Sequence, residues 1–175
     1  MRNIALRTVL RNLGALTLVL SLNLTPAAAA AQEAYFSPNG HIKNRIVDEI
    51  ANAKDSIDIA VFNITSFAIG TALKKAWKKG LRIRILADQG ESEDLHSIIG
   101  SLMQNGLRIK LVKGRGKNGL MHNKFAVFDH QLLLTGSYNW TETAEHANYE
   151  NAVFLRDKDL LKAYQNEFDL IWSKN

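Results

Sequence analysis

Between Gly40 and Val112 the hydrophobic period of the chain alternates between that of a helix and that of a strand. Ile42, Ile46, Val47, Ile50 and Ala53 recur at spacings of three and four, which predicts an amphipathic helix over 40–53. Residues 56–63 follow as a buried strand, and Ser66 stands as the cap of a second helix that runs through Leu73, Ala76 and Trp77 to a stop at Gly80. The pattern then repeats, with an alternating strand over 81–87, a helix over 92–105 ended by Gly106, and a strand over 107–112. Strands separated by whole helices are joined by crossovers, so these three run parallel.

Beyond a glycine-rich basic loop over 113–119 the local order changes. A strand over 121–128, a tight turn at 129–131 and a strand over 132–135 predict an antiparallel hairpin. A last strand covers 152–155, and a closing helix over 157–172 places Leu160, Leu161, Tyr164, Phe168 and Ile171 on one face. The expected fold is therefore one α/β domain, a mixed β-sheet flanked by helices on both faces, with no linker or low-complexity segment.

The N-terminus reads separately. Arg2, Arg7 and Arg11 lead into an apolar stretch over 13–24 and an alanine run over 27–31, the order of a secretory signal peptide cleaved near Ala31. The apolar core is about a dozen residues, short of the roughly 20 that a spanning helix needs. Residues 1–31 are thus expected to be a signal peptide and 32–175 the working domain, periplasmic or secreted, with no membrane anchor after cleavage. Without those three arginines, 22 basic residues become 19 against 17 acidic ones, and the formal charge falls from +5 to +2. Such a balance permits nucleic acid as a partner without demanding it, so charge must be argued locally. The chain has no cysteine, which excludes a thiol nucleophile, a cysteine-ligated zinc and any disulfide.

Chemistry concentrates in 18 residues. His122 and Lys124 are two apart in an expected strand and project from the same face. An imidazole beside a fixed cation suits attack on a phosphorus whose oxygens need their charge matched. Asp129 has the opposite parity and falls at the turn, where spacing assigns it to local hydrogen bonds that hold the hairpin. Gly136 leaves room for a close approach, and Ser137 and Asn139 offer short polar groups able to donate to phosphate oxygens. Glu150, just ahead of the last strand, is the candidate acceptor for the second nitrogen of His122. Arg115 and Lys117 in the basic loop either bind phosphate or are merely solvated. Lys74, Lys75, Lys78 and Lys79 flank Trp77 and read as a solvated face, His96, His130 and His146 as surface residues, and Trp140 as either a stacking platform or a packed side chain.

The spacing His122-x-Lys124-x4-Asp129-x6-Gly136-Ser137-x-Asn139 resembles the signature of the phospholipase D superfamily. Ser37, Pro38, the run over 62–66, Gly80, Trp140, Asn148, Glu150 and Asn151 extend the resemblance to short bacterial endonucleases of that superfamily over nearly all of 32–175. The resemblance implies that His122 attacks a phosphodiester to form a phosphohistidine, that a second histidine protonates the leaving oxygen, and that neither metal nor cofactor is required. It counts Asp129 with the catalytic set, and Lys124, Gly136, Ser137 and Asn139 as phosphate-binding. His41, Lys43 and Asp48 repeat part of the spacing but fall on the first expected helix, where residues two apart are separated by about 200°. Asp55 and Asp58 also stand where glycine and asparagine should be. One motif per chain implies a homodimer with the two His122 at its two-fold axis. The expected activity is a non-specific endonuclease on DNA or RNA. A lipid phosphodiesterase or phosphatidyl transferase is the alternative, and a silent nucleic-acid-binding module is disfavoured by the intact His122, Lys124, Ser137, Asn139 and Glu150.

Overall fold

The computed structural model describes residues 32–175; the expected signal peptide lies outside them. In chain order the elements are β1 (Glu33–Ser37), α1 (Ile42–Asn52), β2 (Ser56–Val61), α2 (Phe67–Lys78), β3 (Arg82–Asp88), α3 (Ile99–Gln104), β4 (Arg108–Val112), β5 (Lys124–Phe128), β6 (Leu132–Gly136), α4 (Glu142–His146), β7 (Glu150–Leu155) and α5 (Lys158–Lys174). All seven strands form one sheet in the order β1-β7-β6-β5-β2-β3-β4. β2, β3 and β4 are parallel, as the crossover pattern requires, and β5, β6, β7 and β1 add on antiparallel.

Strand alternation gives the sheet two cores. Ile57, Ile59 and Val61 of β2 face Ile42, Ile46 and Ile50 of α1 and Ile69 and Leu73 of α2. On the other face Ala60, Leu86, Phe125 and Leu133 pack under Leu161 and Phe168 of α5. That second face also buries Asp58, which is 1% exposed. Its carboxylate accepts two bonds from Arg84 at 2.8 and 2.7 Å and one from Gln165 Nε2 at 2.9 Å, while Arg84 reaches Asp169 at 2.7 Å. A bidentate pair with its remaining lone pairs engaged is the arrangement in which a buried charge is tolerated.

Four local expectations need correction. The helix expected over 92–105 reduces to α3 and a single 3-10 turn at Glu91–Glu93, because Asp88 and Asp94 draw the N–H groups of Gly90, Glu91 and His96 into side-chain turns that compete with helix. His96 lies exposed in that connection. Ser66 precedes α2 without capping it, its hydroxyl donating instead to Glu142. His41 lies ahead of α1 with φ 59°, so the partial motif there straddles a helix entry rather than a helix. The strand expected to begin at residue 121 begins at Lys124, with His122 in its lead-in.

Asp129 also differs from expectation. It is no part of a catalytic cluster: β5 separates it from His122, with about 17 Å between Lys124 and Asp129 at 3.4 Å per residue. Its carboxylate accepts the backbone N–H groups of Lys54, Asp55 and Ser56 at 2.8, 2.8 and 2.9 Å, and its own N–H donates to Ser56 O at 2.8 Å. The bonds are therefore not local to the hairpin; they tie its turn to the start of β2. Burial alone would raise the carboxyl pKa, but the three N–H donors together outweigh it and hold it below its ordinary value.

Asp129→Ala strips three N–H donors of their acceptor and should lower the unfolding free energy by about 2–3 kcal/mol. The effect is read as a fall in urea midpoint at constant m-value. With the folded pKa depressed, this contribution is present at neutral pH and lost as pH falls through that value, so the gap between wild type and variant should close on acidification.

Candidate active site

The C-terminal ends of β2, β3, β4 and β6 and the N-terminal ends of β5 and β7 all meet at one edge of the sheet. His122 stands exposed there and Lys124 half-buried beside it. Phe62, the residue after β2, forms a shared wall: the His122 ring meets it edge-on at 4.7 Å and 66°, and Lys124 Nζ sits 4.9 Å from its centroid. The Phe62 N–H donates to Asn123 O at 2.9 Å, and Lys124 Nζ donates to His122 O at 2.8 Å. Burial lowers the Lys124 pKa, and Glu150 works against that shift.

Three of the expected roles change. The Ser137 hydroxyl donates to Glu150 Oε2 and accepts the Asn151 N–H at 3.1 Å. A serine has one proton to give, so here it orients Glu150 and is not free for a phosphate oxygen. Glu150 is held from its other oxygen by Asn148 Nδ2 at 3.0 Å. Among the described residues its hydrogen bonds go to Ser137 and Asn148, and none joins it to His122. Gly136 does serve a close approach, though to the chain itself: a Cβ there would run into the backbone carbonyl of Asn151 on β7.

Asn139 lines a groove of about 760 Å3 together with Phe62, Asn63 and Asn148, and its amide oxygen is buried with no partner among the described residues. On the other side His122 opens onto a second groove of about 540 Å3 that it shares with Lys113, Arg115 and Lys174. Lys117 is not among the walls of either groove, so of the loop cations Lys113 and Arg115 are brought to the site and Lys117 is not. The Gly114 N–H donating to Gly119 O at 3.1 Å closes that loop. Trp140 is 1% exposed and packs in the core instead of offering a stacking face.

Asp88 is a site residue the sequence reading missed. It ends β3, is 3% exposed, and its Oδ2 accepts the Met121 N–H at 2.9 Å while Oδ1 takes the Gly90 and Glu91 N–H groups at 2.9 and 3.2 Å. The residue before His122 is thereby tied to the parallel half of the sheet. The available signal was a carboxylate directly after the apolar run Ile85, Leu86 and Ala87, where a buried charge requires partners. Among the described residues no three His, Asp or Glu side chains gather as a metal site would need.

Residues 46–172 match the family model described as cardiolipin synthase, PLD-like domain. Among curated proteins, a mitochondrial cardiolipin hydrolase of Chlamydomonas reinhardtii is 34% identical over 150 residues, covering 86% of this chain and 66% of the relative. Relatives of the same name in Xenopus laevis and Homo sapiens are covered over 61% and 51% of their length, so the chain spans no more than about two thirds of the curated relatives it matches. Among solved structures, the phospholipase D family member Nuc from Salmonella typhimurium superposes with a TM-score of 0.72 at 26% identity, over 82% of this chain and 94% of that one. NucT from Helicobacter pylori superposes with a TM-score of 0.76 at 24% identity, over 82% and 96%, which speaks for the fold alone.

The expectation of a periplasmic or secreted protein is corrected by this comparison, because the curated relatives are mitochondrial by name. No helix of the described residues is long and apolar enough to cross a membrane. A domain match running from α1 into α5, with a relative at one-third identity over most of the sequence, shows that this chain belongs to the phospholipase D superfamily and carries its PLD-like domain.

Proposed function

We propose that the chain is a metal-independent phosphodiesterase that cleaves nucleic acid through a phosphohistidine on His122, in an active site completed by a second copy of itself. The observation that carries this reading is the placement of His122 and Lys124 against one Phe62 wall at the sheet edge, nucleophile beside cation. One His122, neutral, attacks phosphorus in line. The departing sugar oxygen takes its proton from the protonated His122 of the second copy, which then removes a proton from water as that water attacks the phosphohistidine. The phosphorus–nitrogen bond breaks and both histidines return to their starting states. Lys124 and the Asn139 amide face the non-bridging oxygens, where charge spreads in the transition state. Arg115 supports the strand further along its groove.

Glu150 keeps the acceptor role, but for the imidazole that a second copy brings. In its own chain it makes no bond to His122, yet Ser137 and Asn148 fix it from both oxygens, the bracing expected of a residue that must aim another. A lipid phosphodiester is the second reading, favoured by the names of the curated relatives and of the matched domain.

Plasmid nicking by the wild-type chain in excess EDTA, beside His122→Ala, tests the proposal. Cleavage should survive chelation and fall at least roughly a thousandfold in the variant. Loss of activity in EDTA defeats the metal-free mechanism, and cleavage of cardiolipin vesicles without cleavage of DNA or RNA moves the substrate to lipid. Because one histidine must be neutral while its mate is protonated, the rate should fall on both sides of a pH optimum, and a single-limbed profile counts against the pair.

Asp88→Asn provides a finer test. One amide face must then present N–H groups to a backbone N–H, which loosens Met121 and so His122. kcat should drop about 10- to 100-fold with KM little changed, whereas a purely structural role would lower the melting temperature and leave the kcat of the remaining folded protein intact.

A further inference from the structure

The sheet face covered by α1 and α2 has two hollows that the reaction above does not use. One, of about 500 Å3, lies between the helices, where Val47, Ile50, Ala72, Ala76 and Leu81 give it apolar walls and Lys54, Lys75 and Lys79 stand among them. The other, of about 510 Å3, is bordered by Lys74, Lys75, Lys78 and Lys79 with Thr71 and Asn105. No carboxylate lines either hollow. The ion pairs of the described residues engage Lys43, Arg45, Arg82, Arg84 and His146, and none of these five lysines.

Residues 32–175 carry +2 in all, so five lysines on one face exceed the net charge of the domain and leave the remaining surface net negative. Complementing the dipole of α2 accounts for part of this, since Lys75 and Lys78 are in its last turn. It does not account for Lys54 and Lys74, or for the absence of any acidic residue along the whole helix. A solvated helix face ordinarily mixes signs.

We propose that the α1–α2 face docks on a bilayer surface rich in anionic phospholipid. A nucleic acid backbone would meet the cations and leave the apolar trough between them unfilled; a phospholipid surface answers both, with phosphates on the lysines and hydrocarbon in the trough. The lysine end of α2 lies some 18 Å along the helix from its start near the catalytic edge, at 1.5 Å per residue. Docking there leaves His122 open and does not depend on which phosphodiester it cleaves.

The test is co-sedimentation of the full chain with vesicles of phosphatidylcholine alone or of phosphatidylcholine with one quarter phosphatidylglycerol, at low and high salt. The residues N-terminal to 32 are common to every protein compared, so differences report on α2. Wild type should bind the anionic vesicles, lose them at high salt and ignore the neutral ones. Lys75→Glu with Lys79→Glu should bind at least about 20-fold more weakly, from roughly fivefold per lysine at an anionic surface. Cleavage of a small soluble diester and the melting temperature should both be unchanged, and Lys74→Gln with Lys78→Gln repeats the measurement without charge reversal should the first variant melt early. Anionic vesicles bound equally by wild type and both variants, or duplex DNA binding lost while vesicle binding persists, would overturn the proposal.

Discussion

The three N–H groups at residues 54–56 that converge on the Asp129 carboxylate hold the register on which the sheet edge bearing His122 and Lys124 depends. β5 lies between β2 and β6 and is antiparallel to both, with Ile57 opposite Phe128 at one end and Val61 opposite Lys124 at the other. A slip of one residue would turn Lys124 to the opposite face of the sheet and part His122 from Phe62. The motif spacing acquires a physical meaning in this light. The four residues between Lys124 and Asp129 are the rest of β5, and the six between Asp129 and Gly136 are the turn and the body of β6. What reads in sequence as one catalytic signature is a hairpin with its chemistry at one end and its clamp at the other.

At the open end the sheet solves a different problem, holding an exposed imidazole without enclosing it. Two constraints reach His122 from the backbone: Asp88 fixes Met121 before it, and Phe62 N–H fixes Asn123 after it. Within its own chain the side chain is then steadied by the edge contact with Phe62. Lys124 is treated otherwise. Its ammonium lies against the same ring and bonds to the His122 carbonyl, and partial burial disfavours its charged form while Glu150 sustains it. A cation so placed is poorly solvated before substrate arrives, which makes the approach of a phosphate more favourable than it would be to a lysine in open water.

The parallel half of the fold was legible because β2 and β3 carry apolar residues at alternate positions and α1 and α2 run for three turns, so periodicity separates them. β1 and α4, five residues each, fall below that threshold. β1 is half polar and forms only because β7 offers it an edge, while α4 depends on Thr141 accepting the Ala144 N–H. The site divides along the same line. His122 and Lys124 are two residues apart, and their placement side by side follows from strand geometry. The partners of Asp88, Asp129 and Ser137 come from 33, 73 to 75, and 13 residues away, and no spacing rule reaches across a sheet. The cellular address was read from composition near the N-terminus, a property that catalytic geometry neither requires nor constrains.

The way the domain pairs its cations bears on what its surfaces are for. Arg84 is bound by Asp58 and Asp169 and lies over the rings of Phe168 and Trp172, which fastens α5 to the sheet. Arg45 joins β1 to α1 through Glu33 and Glu49, and Lys43 joins α1 to α4 through Glu142. These three cations that hold elements together are each given a carboxylate. Those around α2 hold nothing together, since that helix is fixed by Ile69, Leu73 and Ala76 beneath it. The chain has 17 Asp and Glu residues, and none of them lines the two hollows beside α2. Self-repulsion among lysines spaced three and four apart is a cost that packing does not require and that the dipole of α2 offsets only in part, which is what a partner of opposite charge would relieve.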